Sequence, residues 1–66
     1  MNGTVLEYYE VRGFGYLKGE EEMEEYCFYS SDLQTNDVLL KKGDQVEFDL
    51  YRGHGIRAIN VRKNDR

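Results

Sequence analysis

The run Arg12-Gly13-Phe14-Gly15-Tyr16-Leu17 carries two aromatic residues at i and i+2. In a strand both rings stand on one face of the sheet, coplanar, with basic Arg12 preceding them. A glycine inside a strand marks a bend or a close approach of another backbone, so Gly15 points to a curled strand. Rings so placed either cover the outside of a barrel strand or form a platform on which unpaired bases stack. Taken alone, such a run favours the first reading. The rest of the chain shifts the balance to the second.

Four further strand-like runs surround it. Gly3 to Tyr9 precedes Phe14 to Lys18, with a short polar turn between them. Gly19-Glu20-Glu21-Glu22 reads as a solvated acidic loop. Glu24 to Ser30 holds Tyr26-Cys27-Phe28-Tyr29 and reads as a third strand. In Gln45 to Tyr51, Val46, Phe48 and Leu50 alternate with Gln45, Glu47, Asp49 and Tyr51, the pattern of a half-buried strand. Arg52-Gly53-His54-Gly55 is a turn, and Ile56 to Val61 closes the set with Ile59 and Val61 on one face. Ser31 to Lys42 is irregular. Its only candidate helical turn lies in Ser31 to Leu40, where Asp32, Thr35 and Asn36 favour caps and turns. Five short strands in one small chain suggest a barrel, because closure removes exposed edges. Val5, Tyr8, Phe28, Val46, Phe48, Leu50 and Val61 are the expected core.

Composition bounds the rest. The 66 residues hold one domain. It is expected over 1–62, with residues 63–66 as a charged tail. One cysteine, Cys27, permits no internal disulfide, which fits a reducing compartment. No apolar stretch approaches a leader or a membrane span, so a soluble cytoplasmic protein without membrane contact is expected. The net charge of −4 argues against polyanion binding through a broad basic surface, but not against a local cationic rim. Tyrosine is abundant, with six residues beside three phenylalanines and no tryptophan.

Two families share an aromatic strand of this kind. The RRM signature fits the first six positions from Arg12, but Gly19 falls where its last aromatic belongs. The chain also lacks the amphipathic helices that fold packs on its sheet. From about Gly3 to Val61 the chain instead resembles the cold-shock domain family. Gly3-Thr4-Val5 looks like that family's first strand. Arg12 to Leu17 is similar to its K-G-F-G-F-I motif, and Glu25 to Ser31 to its D-V-F-V-H-F-S motif. Leu40 to Phe48 is similar to L-x-x-G-x-x-V-x-F, and Ala58-Ile59-Asn60-Val61 to A-x-N-V. The resemblance implies a five-stranded antiparallel OB-type barrel that binds single-stranded RNA or DNA. It assigns stacking to Phe14, Tyr16 and Tyr29, and puts Arg12 in place of the motif lysine.

The departures concern that same surface. Where the family has K-W-F, this chain has Leu6-Glu7-Tyr8, so a carboxylate replaces a ring. Cys27 and Ser30 stand at two further phenylalanine positions, and Tyr29 at a histidine position. Each base–aromatic stack is worth roughly 1–3 kcal/mol. Losing two or three weakens binding by powers of ten, so moderate to weak affinity is expected. Tyr9 and Tyr51 are candidate substitutes.

Other chemistry finds little support. Cys27 and His54 are the only nucleophile and base of note, with no third group to orient them, so no catalytic site is expected. No metal or cofactor site is expected either, because suitably spaced ligands are missing. Glu20 to Glu25 reads as a solvated loop, Lys41-Lys42 as the flank of a turn, and His54 as a turn residue. The expected function is single-strand binding with weak sequence preference, and the resemblance adds an RNA-chaperone role. The alternative is a protein-interaction barrel with a degenerate nucleic-acid surface, favoured by Glu7, Ser30 and the acidic loop.

Overall fold

The first hairpin shows how local chemistry starts the barrel. Gly13 has φ 75°, a backbone state that favours glycine, and both Arg12 N–H and Gly13 N–H donate to Tyr9 O, at 3.0 and 2.8 Å. This turn reverses β1 (Asn2–Tyr9) into β2 (Phe14–Gly19) in a computed structural model that describes residues 1–34 and 40–64. Then come β3 (Glu25–Tyr29), a 3-10 turn over Ser30–Asp32, β4 (Gln45–Arg52) and β5 (Ile56–Lys63). Positions 35–39, inside the stretch expected to hold a helical turn, lie outside the described residues.

The strands close into a barrel in the order β1-β2-β3-β5-β4, with β4 returning to β1. Four ladders are antiparallel. The fifth, β3 with β5, is parallel and pairs Cys27 with Arg57. The expected five-stranded barrel is therefore present, and one parallel pairing completes its circle.

Two bulges set the side-chain parity. Between Val5 and Glu7 the β1 strand carries an extra residue against β2, so Glu7 pairs with Tyr16. On β5, Asn60 at φ 52° and Val61 together oppose Phe48. The second bulge turns both Ala58 and Val61 inward, and they are fully buried. It also corrects the expectation that Ile59 shares a face with Val61: Ile59 pairs with outward-facing Asp49 and is only half-buried.

The core holds Val5, Phe28, Val46, Phe48 and Val61 as expected. Leu17, Tyr26, Leu40 and Ala58 belong to it as well, while Tyr8 and Leu50 are half-buried and pack on its side. Burying a ring such as Phe28 or Phe48 contributes about 1.5–3 kcal/mol. Gly15 is where a strand must pass close. A β-carbon there would meet Glu7 O and lie 2.9 Å from the Phe28 ring. The strand β5 outruns its expected end at Val61: it continues to Lys63, and Asn64 N–H donates to Gln45 O at 2.9 Å.

The acidic loop is a short hairpin. Gly19 N–H donates to Glu24 O at 2.8 Å and Met23 N–H to Gly19 O at 3.1 Å. It carries charge beside β3: burial raises the Tyr26 hydroxyl pKa, the Glu22 and Glu24 carboxylates add to the rise, and Arg52 opposes it.

Candidate nucleic-acid interface

Strand alternation puts Phe14 and Tyr16 outside and Gly15 and Leu17 inside, as the burial of the four residues confirms. Ladder register then arranges the outer face in rows. One row runs Tyr9, Phe14, Tyr29 across β1, β2 and β3. The next runs Glu7, Tyr16, Cys27, Arg57, Tyr51 across all five strands. Tyr9, Tyr16, Tyr29 and Tyr51 are each 40–49% exposed, an unusual number of open rings on a small barrel.

The rings are not coplanar, which corrects the sequence-based picture of a flat pair. Phe14 and Tyr16 lie 6.0 Å apart at 89°, edge to face. Ring quadrupoles favour this arrangement over parallel faces at such spacing. Tyr9 tilts onto Phe14 at 5.2 Å and 51°. The surface is thus a faceted aromatic ridge that offers separate ring faces at different angles.

The sequence-derived residues Phe14, Tyr16 and Tyr29 come together on this face. Arg12 does not belong to a row: it is exposed in the β1–β2 turn, two residues before β2 begins. The cation inside the rows is Arg57, which sequence reasoning missed. Its Cζ lies 5.1 Å from the Tyr51 ring centre and 5.7 Å from that of Tyr29, within cation–π reach of both. Its Nε sits 3.4 Å from Asp32 Oδ2. That same oxygen accepts the Tyr29 N–H at 2.9 Å, so the 3-10 turn ties Tyr29 and Arg57 together. Asp32 is the buried charged residue of the described structure, at 8% exposure.

Tyr29, Tyr51, Arg57, Cys27, His54 and Ile56 line a cleft of about 340 Å³. Cys27 and His54 thus face one space, but no hydrogen bond joins them among the described residues. The signal for Tyr51 was its outward parity on β4. Arg57 faces Tyr51 across the antiparallel β4–β5 ladder, and Tyr29 joins them only through the closing β3–β5 pairing. Two negative features border the rings: Glu7 pairs with Tyr16, and Glu25 stands across from Lys18 in the β2–β3 ladder.

Residues 1–64 match the 'Cold-shock' DNA-binding domain family. The chain belongs to the cold-shock domain family. It is 34% identical to the cold shock-like protein CspC of Bacillus cereus over 64 residues, which cover 96% of this chain and 98% of the relative. It is 34% identical to the cold shock-like protein CspA of Stigmatella aurantiaca over 62 residues, 91% of each. It is 33% identical to the major cold shock protein of Streptococcus pyogenes over 63 residues, 92% of each. The cold-shock domain is a nucleic-acid-binding family rather than an enzyme family, and its ligands are single strands. No described helix is long and apolar enough to cross a membrane.

Proposed function

We propose that this cold-shock domain binds single-stranded RNA or DNA along the outer face of β2 and β3, with moderate to weak affinity. Bases stack on Phe14, Tyr16 and Tyr29, and Arg12 contacts phosphate or caps a base at the hairpin end of the face. The observation that carries this reading is the row Tyr9, Phe14, Tyr29 beside exposed Tyr16 on one side of the sheet. Ring faces are sequence-tolerant because every base has a π-face, so sequence preference is weak. Binding single strands in preference to duplex favours melted RNA, which makes the domain an RNA chaperone of the cytoplasm. It performs no catalysis and uses no cofactor.

Tyrosine fluorescence tests the proposal, since there is no tryptophan to mask it. Titration with an unstructured oligopyrimidine should quench it, and a duplex of equal length should bind more weakly because its bases are already stacked. Equal affinity for both would exclude the stacking face.

A second reading draws on Glu7 beside Tyr16 and on the acidic hairpin at the edge of β3. Both repel phosphate, and a barrel with this face could dock a protein partner instead. Absence of single-strand binding at low salt would favour it.

A further inference from the structure

The cleft at the β4–β5 turn holds a pinned guanidinium with a free fork. Asp32 occupies the Nε side of Arg57 at 3.4 Å, and that Nε is covered without making a hydrogen bond. The Arg57 side chain is still 40% exposed. With Nε covered, the open part of the guanidinium is its Nη edge, and none of the side-chain hydrogen bonds among the described residues uses an Arg57 Nη. Tyr29 and Tyr51 hold the group from two strands. The space beside it, about 340 Å³, suits one nucleobase and is walled by rings and Ile56.

We propose that this cleft receives one extruded base of the bound strand and selects guanine over adenine and thymine, with Arg57 Nη1 and Nη2 donating to guanine O6 and N7. The chemistry follows from the donor set. A guanidinium fork only donates, so it needs two adjacent acceptors on one base edge. Guanine presents O6 and N7 on one edge, whereas adenine sets its amino donor beside N1 and N7 and thymine has no two adjacent acceptors; an extruded cytosine offers N3 and O2 and stands outside this discrimination. A phosphate also offers two acceptors, but the aromatic and aliphatic walls favour a base over a charged, hydrated group. The proposal rests on single-strand binding by the aromatic face. It gives that sequence-tolerant face one discriminating position.

The test uses the full chain and thymine hexamers carrying one central guanine, adenine, inosine or 7-deazaguanine. Wild-type protein should bind the guanine oligomer roughly tenfold more tightly than the adenine oligomer. Inosine keeps O6 and N7 and should retain the preference; 7-deazaguanine lacks N7 and should lose it. Arg57→Lys keeps the charge but not the fork. It should abolish the guanine preference, read as the ratio of guanine-oligomer to adenine-oligomer affinity within the variant. The ligand series tests the idea in wild-type protein, whatever the variant's stability. Binding of thymine hexamer with no guanine preference overturns this proposal and leaves the stacking face intact. An equal loss for every oligomer in Arg57→Lys assigns Arg57 to the backbone and overturns it too. No binding to any oligomer overturns the stacking face and this proposal with it.

Discussion

Glu7 stands directly across the β1–β2 ladder from Tyr16, with its carboxylate on the same outer face as the stacking rings. The bulge after Val5 puts it there. A negative charge beside a ring that stacks bases repels the phosphates of the same strand. Glu7→Trp removes that charge and adds a ring to the row Tyr16, Cys27, Arg57, Tyr51. It should tighten single-strand binding by roughly 1–3 kcal/mol, read by oligonucleotide titration at low salt. Affinity unchanged or weakened would show that this end of the row does not touch the ligand.

Arg12 should behave as a charge and not as a reader of sequence. Arg12→Ala is expected to weaken binding to all unstructured oligomers alike and to lower the slope of log affinity against log salt by about one contact. A sequence-dependent loss would place Arg12 on a base edge.

Gly15 should be intolerant of a side chain. A β-carbon at this position meets Glu7 O and the Phe28 ring, and neither backbone nor core ring can withdraw freely. Gly15→Ala should destabilise the fold by about 1–3 kcal/mol, the usual range for an overpacked core, measured by denaturant unfolding. A variant as stable as wild type would mean that β1 and β2 pass less closely there.

Much of the fold was legible in residue order, and the limits have local causes. Val46, Phe48 and Leu50 alternate cleanly, so the inner face of β4 could be read directly. The same parity, counted outward from Phe14 and Tyr16, also marks Leu17 as inner, and that signal was available. The face shift on β5 was not. Asn60 at φ 52° inserts one residue, and no composition pattern separates a bulge-forming asparagine from a turn asparagine. At the site, Phe14, Tyr16 and Tyr29 were readable from their motifs. Arg57 was not: Tyr51 faces it across the β4–β5 hairpin, but Tyr29 reaches it only after β3 and β5 pair in parallel. Asp32 read as a turn residue for the same reason: its partner lies 25 positions along the chain.

Alkaline pH should destabilise the barrel through Tyr26. Burial raises its hydroxyl pKa above the ordinary 10.0, helped by Glu22 and Glu24 and opposed by Arg52. The folded state therefore holds this proton to higher pH than the unfolded chain does. The stability is fully present below pH 10.0 and is lost as pH rises from there through the folded value. Tyr26→Phe should flatten this loss in thermal melts recorded across the alkaline range. An unchanged alkaline slope would assign it to another group.

The central claim is that exposed rings on β2 and β3 stack the bases of a single strand. The most direct test is the affinity of wild-type protein and Tyr16→Ala for one unstructured pyrimidine oligomer at low salt, with thermal melts confirming that both are folded. Tyr16 is 40% exposed, so its truncation should leave the fold intact. The expected result is clear wild-type binding that weakens by roughly 1–3 kcal/mol in the variant. Wild-type protein that does not bind, or a variant that binds equally well, would contradict the account.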